Sequence, residues 1–248
     1  MSKSIPVRTI FVSDLHLGSS GFQAPAFLEF LKAYKCEKLV LVGDVFDFWA
    51  MKRRMHWPQS HSNVIQKILK LAKGGVKIVY IPGNHDEGIR SYLDLTLGHN
   101  ITIEDVHEHE TADGRMMVCL HGDQFDVIIQ NHKILTSIGD FGYNLSMKLN
   151  PLVKKLRQLW GKRNPWSLSG YLKVKVKERI KIMTRFEDSL SGFARQGGYD
   201  GVVCGHTHIP EILEKGEVTY YNTGDWVDSC TALLEDKTGK LTLFRWQD

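Results

Sequence analysis

Long apolar runs are missing from this chain. No uninterrupted stretch approaches the ~20 residues that a bilayer-spanning helix needs. Cysteine is sparse as well: Cys36, Cys119, Cys204 and Cys230 lie far apart, and no C-x-x-C spacing occurs. That excludes the paired thiolates of a structural zinc site and leaves no pattern for a disulfide framework. Cys119 and Cys204 fall inside apolar runs, where small buried thiols are expected, and a reducing cytoplasm is the simplest compartment. Internal repeats and low-complexity segments are absent. Met1–Pro6 leads straight into an expected strand, so neither a signal peptide nor a transit peptide is expected. Acids are nearly absent from one segment. Between Ser146 and Arg185 twelve Lys and Arg stand against one acid, Glu178, a local charge of +11. The whole chain carries +4, so the remaining residues carry −7. Such asymmetry concerns partners rather than fold.

What is present is an alternation of strand-like and helix-like segments, the pattern of a layered α/β domain. The 248 residues suit one domain, 1–248. Ala24–Lys35 carries apolar residues at helical spacing (Phe27, Leu28, Leu31, Tyr34), and Val64–Lys73 repeats this with Ile65, Ile68, Leu69 and Ala72. Gly74-Gly75 then ends that helix and releases a strand over Val76–Ile81. After Gly201 short runs, Val218–Tyr221, Cys230–Leu234 and Leu241–Trp246, are separated by turn signals and suggest a second sheet. Between these regions Ile128–Phe193 is helical in pattern. Its break at Gly161–Trp166 suggests two helical stretches folded as a hairpin or lid.

Five apolar runs of strand length each end in a polar signature. Asp14-Leu15-His16 follows Thr9–Ser13, Gly43-Asp44 follows Leu39–Val42, and Gly83-Asn84-His85-Asp86 follows Ile78–Pro82. His121-Gly122-Asp123 follows Met116–Leu120, and Gly205-His206-Thr207-His208 follows Gly201–Cys204. Strand ends can bring such segments onto one rim, where α/β sheets bind ligands. Asp14 and His16, at i and i+2, share a face if strand geometry persists. Gly43 lets the backbone come close beside Asp44, whose two oxygens suit it to bridge two cations. Asn84 offers a carbonyl, and His121, His206 and His208 offer imidazole nitrogens; the turn at 205–208 can send His206 and His208 to different ions. A mixed oxygen and nitrogen set suits Mn, Fe, Zn or Co better than Mg or Ca. His56, His61, His99, His107, His109 and His132 lack ligand partners at useful spacing and are expected mostly at the surface. Asp86 reads equally as the cap of a following helix. Asp123 and Asp126 read either as site contacts or as the start of a helix.

Together the fragments Asp14-Leu15-His16, Gly43-Asp44-Val45-Phe46-Asp47, Gly83-Asn84-His85-Asp86, His121-Gly122 and Gly205-His206-Thr207-His208 resemble the calcineurin-like metallophosphoesterase superfamily. The match spans nearly the whole chain. The resemblance implies an α/β fold: a sandwich of two mixed sheets flanked by helices, here with a helical lid insertion at about 128–193. It implies two divalent transition-metal ions, Mn foremost, about 3.5–4 Å apart. Asp14, His16 and His208 would hold the first, Asn84, His121 and His206 the second, and Asp44 would bridge them. His85 would serve the leaving oxygen as a catalytic residue, and Asp47 would orient His85.

Ser13–Gly18, Gly43–Trp49, His121–Asp123 and Gly205–Pro210 look more closely like the UDP-2,3-diacylglucosamine diphosphatase branch of that superfamily. That branch cleaves a pyrophosphate to give UMP and an acylated sugar phosphate for lipid A synthesis. His85 departs from the Arg of its best-known members, which points to a sister group with a related lipid or nucleotide substrate. Leu149, Leu152, Val153, Leu156, Leu159 and Trp160, interleaved with Lys154, Lys155 and Arg157, form a basic amphipathic stretch of the kind that lies on anionic membranes. Asp126, Lys173, Lys175, Lys177 and Lys181 are the candidate substrate contacts. The expected partners are a nucleotide-linked glycolipid and an anionic membrane surface reached through residues 146–185, with the protein peripheral on the cytoplasmic face of the inner membrane. No obligatory protein partner is evident. The rival readings are a nuclease or generic phosphodiesterase of the same superfamily and a non-catalytic scaffold on its fold. Tyr221–Trp226 also looks like the sister group and has no assigned role.

Overall fold

Runs of Val, Ile and Leu long enough to cross a buried sheet make the centre of this molecule. The computed structural model describes residues 4–98, 100–125 and 168–246, with 168–181 described by backbone alone. Asp126, His99, His132 and the stretch 128–167 of the expected insertion lie outside the described residues. Lys173, Lys175, Lys177 and Lys181 fall on the part described by backbone alone. Residues 1–123 with 190–248 form one compact unit, and 124–189 a second. Both large sheets belong to the first unit.

In chain order the strands begin with β1 (Ile5–Pro6), β2 (Thr9–Val12), β3 (Tyr34–Lys35), β4 (Lys38–Val42), β5 (Lys77–Ile81), β6 (Thr96–Leu97) and β7 (Ile101–Ile103). There follow β8 (His107–Glu110), β9 (Met116–Cys119), β10 (Gly201–Cys204), β11 (Glu211–Lys215), β12 (Val218–Asn222), β13 (Thr231–Glu235) and β14 (Leu241–Arg245). The helices are α1 (Ala24–Ala33), α2 (Phe48–Arg53), α3 (Gln59–Lys73) and α4 (Leu168–Gln196). A seven-stranded sheet runs β14-β13-β2-β4-β5-β7-β6, and a five-stranded sheet runs β11-β12-β10-β9-β8. β2, β4, β5 and β7 are parallel neighbours, as are β9, β10 and β12.

Alternation divides each parallel strand between two cores. Ile10, Leu39 and Ile78 are register partners, and they pack with Phe27 and Phe30 of α1 and Val64 and Ile68 of α3. The next row, Phe11, Val40 and Val79, faces the other way and packs with Met117, Cys119, Val203 and Tyr221 of the second sheet. Each large side chain buried here contributes about 1.5–3 kcal/mol. Pro25 sits in the first turn of α1, where its missing N–H costs nothing. Trp226 closes this layer, its ring 4.8 Å from Phe27 and 5.0 Å from Phe30.

Two expectations are corrected. The runs after Gly201 do not make one second sheet. β12 joins the five-stranded sheet, whereas β13 and β14 join the seven-stranded one. Every residue of β13 is buried, and pairing Leu233 with Phe11 of β2 satisfies both its apolar faces and its backbone. Nor do all of the remaining histidines that are described lie at the surface. His56 is exposed, but His61 and His109 are buried. His61 Nδ1 accepts the Gly18 N–H at 3.1 Å. His109 meets Phe11 edge-on at 5.1 Å and bonds Glu235 at 2.9 Å. Glu235 also accepts from Arg8 and from the Ala112 N–H. Burial pushes the Glu235 carboxyl up, but His109, Ala112 and Arg8 outweigh it and hold it at about 2. Among the described residues no helix is long and apolar enough to cross a membrane.

Candidate metal centre

Asp14 follows β2, Asp44 follows β4, Asn84 follows β5, His121 follows β9 and His206 follows β10. All five are C-terminal strand ends. Parallel pairing aligns those of β2, β4 and β5 in one sheet and of β9 and β10 in the other, and the packing of the two sheets brings them to one rim. The local geometry is not the strand expected at Asp14 and His16, because β2 stops at Val12. Asp14 and His16 instead adopt left-handed backbone, with φ of 53° and 54°. Asp44 (52°), His206 (68°) and His208 (60°) do the same. Left-handed backbone is costly for non-glycine residues and persists only where surroundings enforce it. Here the Asp14 N–H donates to the Gly43 carbonyl at 3.0 Å and the His16 N–H to the Asp44 carbonyl at 2.9 Å. In this conformation Asp14 Oδ1 and His16 Nε2 come to 3.8 Å of one another.

Asp14, His16 and His208 present donor atoms within 4.8 Å of one another, as do Asp14, Asp44 and His121. Asp14 Oδ1 is 3.2 Å from His208 Nε2, and His16 Nε2 is 3.3 Å from that same nitrogen. Asp44 Oδ2 lies 3.4 Å from His121 Nε2 and 3.9 Å from His16 Nε2, between the two groups. The His206 ring faces the His121 ring at 5.1 Å. Within the turn at 205–208, His208 lies beside Asp14 and the His206 ring beside the His121 ring.

Two glycines make this approach possible. A Cβ on Gly43 would fall 2.1 Å from His121 Nδ1, and a Cβ on Gly83 would fall 2.2 Å from Asp44 Oδ1. Neither position tolerates a side chain without moving a donor.

The donor set fits divalent cations. Asn84 Oδ1 and His121 Nε2 are buried and make no hydrogen bond, which is costly unless something accepts their lone pairs. His121 Nδ1 donates to the Val42 carbonyl at 2.9 Å, leaving Nε2 for the centre. Burial pushes the Asp14 and Asp44 carboxyls up, but neighbouring His208 and His121 outweigh it, so both are held below the usual carboxylate range. Burial pulls His121 and His208 down, but Asp44 acting on His121 and Asp14 on His208 push both up to about 10. The pocket stabilises positive charge.

His85 stands at the edge of this cluster. Its Nδ1 bonds Asp47 Oδ1 at 2.9 Å, its Nε2 lies 3.9 Å from Asp44, and the Trp49 ring sits 4.2 Å away. Asp47 also caps α2 by accepting the Ala50 N–H at 2.8 Å, and its Oδ2 is 3.4 Å from His16 Nδ1. Asp86 does not cap the following turn. Its carboxylate accepts the N–H groups of Gly83 (2.6 Å), Val45 (2.9 Å) and Phe46 (3.1 Å) and the Tyr80 hydroxyl, tying two site loops together. Asp123 begins a short 3-10 turn and accepts from Arg90 at 2.8 Å; Arg90 also donates to the Pro82 carbonyl at 3.1 Å.

The run from Asn222 to Trp226, which had no role in the sequence, supports two ligand loops. Asn222 Nδ2 donates to the Gly205 carbonyl at 2.8 Å and to Thr207 Oγ1 at 2.9 Å. Thr223 bonds Ser13 at 2.6 Å, and the Trp226 N–H donates to the Asp14 carbonyl at 3.2 Å. Asp225 lies beside His208.

A model of the calcineurin-like phosphoesterase family matches residues 7–210. The chain belongs to this family. It is accordingly a metal-binding phosphoester hydrolase with the layered α/β fold of calcineurin-like phosphoesterases. Among curated relatives, the UDP-2,3-diacylglucosamine hydrolase of Aliivibrio fischeri is 27% identical over 236 residues, covering 88% of this chain and 90% of that protein. The protein of the same name from Haemophilus influenzae is 24% identical over 254 residues, covering 94% and 97%. That from Porphyromonas gingivalis is 31% identical over 130 residues, a match spanning 47% of this chain and 46% of its own length. A solved archaeal phosphodiesterase aligns at 15% identity with a TM-score of 0.47, covering 96% of this chain and 98% of that chain.

Proposed function

We propose that this calcineurin-like phosphoesterase hydrolyses the pyrophosphate of UDP-2,3-diacylglucosamine or a closely related lipid-linked nucleotide, releasing UMP and an acylated sugar phosphate. The observation that carries the chemistry is the convergence of Asp14, His16, Asp44, His121 and His208 donors, with the buried Asn84 Oδ1 and His121 Nε2 making no hydrogen bond. The substrate class is supported by the name shared by relatives that align over 88–94% of the chain.

In this reading Asp14, His16 and His208 hold one divalent cation, Asn84, His121 and His206 hold a second, and Asp44 bridges. Mn is the expected metal. The chemistry such a pair supplies when bound is neutralisation of phosphoryl charge and a lowered pKa for water. The protein's own part is positional. Asp47 fixes the His85 ring through Nδ1 and leaves Nε2 at the edge of the cluster, 3.9 Å from Asp44, where the protonated ring would hand a proton to the leaving oxygen. Trp49 limits rotation of the same ring. Asp86 holds the Gly83 and Val45 loops in register, which keeps Asn84 and Asp44 on one rim.

The basic segment 146–185 supports a membrane role. Its net +11 charge suits the anionic lipid surface where a glycolipid substrate resides. Asp126, Lys173, Lys175, Lys177 and Lys181 are the proposed substrate contacts on that segment and beside it.

The test is Mn-supplemented hydrolysis of UDP-2,3-diacylglucosamine, with UMP release measured beside hydrolysis of bis(p-nitrophenyl) phosphate. Preference for the lipid nucleotide by at least about 10³-fold in kcat/KM, some 4 kcal/mol of transition-state discrimination, is the expected result. Cleavage of the soluble diester alone would remove the lipid nucleotide as substrate.

A further inference from the structure

His208 is the least buried of the clustered ligands. Its side chain is 38% exposed, against 0% for Asp14 and 7% for His16. Its backbone is left-handed as well, and its ring meets the His16 ring at 5.2 Å and Asp14 Oδ1 at 3.2 Å on the side of the centre.

Asp225 stands on the far side of that ring. It is buried, on the turn that follows β12. Its Oδ1 accepts three backbone N–H groups, from Val227 at 2.8 Å, Asp228 at 2.6 Å and Ser229 at 3.0 Å. Those bonds pin the carboxylate and leave Oδ2 directed at His208 Nδ1, 3.6 Å away. Once Nε2 is taken up by a cation, the ring proton is left on Nδ1, the nitrogen that faces the ionised Asp225 carboxylate. The other nitrogen, Nε2, is then the one turned to Asp14 and His16.

We propose that Asp225 is a positioning residue that sets both the tautomer and the direction of the His208 ring, presenting Nε2 to the cation held with Asp14 and His16. This rests on the metal-centre reading above, because His208 must be a ligand for its orientation to matter. A carboxylate behind a ligating imidazole typically changes metal affinity by 10–100-fold. The arrangement also gives Asn222–Trp226 a unified purpose: Asn222 grips the loop that carries His206 and His208, and Asp225 aims the second of them.

The test substitutes Asp225→Asn in the full chain. The amide oxygen of this variant can keep the three backbone bonds, but its NH2 group faces His208 Nδ1 and drives the proton to Nε2. Isothermal titration with Mn2+ is expected to show one of two sites weakened 10–100-fold, with the melting temperature of the metal-stripped protein unchanged. Mn2+ affinity equal to wild type would overturn the proposal, provided His208→Ala loses the site. If His208→Ala also binds like wild type, the metal-centre reading fails instead. A second measurement needs no variant: nitrogen-15 NMR of the Zn2+-loaded wild-type protein should place the His208 proton on Nδ1. A proton on Nε2 would overturn the assignment.

Discussion

Asp44→Ala is expected to abolish hydrolysis and to empty the centre of at least one metal ion. Asp44 is where the two donor groups meet. Its Oδ2 is 3.4 Å from His121 and 3.9 Å from both His16 and His85, while Oδ1 accepts the His85 N–H at 2.8 Å. Truncation removes a carboxylate that lies within reach of both His121 and His16, and frees the backbone that seats His85. A loss of more than about 10³-fold in kcat/KM, or at least ~4 kcal/mol, is expected. The sheets do not depend on this side chain, so the far-ultraviolet circular dichroism should match wild type. Elemental analysis beside steady-state kinetics checks both parts. Wild-type turnover with two metals per chain would refute the bridging role.

Gly83→Ala is the second large effect, and it arises without touching a ligand. A methyl group there would lie 2.2 Å from Asp44 Oδ1, 2.6 Å from the Asp44 backbone nitrogen and 2.7 Å from His121 Cδ2. Two of those atoms belong to side chains of the centre and one is main chain, so none can yield cheaply. Overpacking of this kind costs about 1–3 kcal/mol of stability, and a displacement near 1 Å at a reacting group costs about 10²-fold in rate. The variant should fold, melt several degrees lower and turn over about 10²-fold more slowly. Kinetics indistinguishable from wild type would show that the rim is looser than these distances require.

The candidate ligands were legible because each stands after a strand-length apolar run, and buried parallel strands need such runs on both faces. Their geometry was less so. Asp-x-His reads as two residues on one face of a strand, yet both converge through left-handed backbone enforced by hydrogen bonds from the neighbouring loop. No local signal announces such a turn when the residues are Asp and His rather than Gly. Asp86 was ambiguous for a related reason: its partners at Val45 and Phe46 are some forty positions away in the chain. Asp225 had a local signature, in that three of its acceptor bonds go to the residues just after it, but its relation to His208 appears only in the folded chain. The buried His61 and His109 show the limit of reasoning from residue type. An imidazole becomes a core residue once aromatic rings and a hydrogen-bond partner surround it. The split of the C-terminal strands between two sheets was hidden because short apolar strands look alike until their partners are known.

We propose that hydrolysis of a lipid-linked nucleotide depends on two cations in this rim. This is tested most directly by stripping the protein of metal and titrating Mn2+ back while UMP release from UDP-2,3-diacylglucosamine is followed. Activity should start at background and reach its plateau at two Mn2+ per chain. Full turnover in the stripped protein, or Mn2+ binding that brings no UMP release, would contradict it.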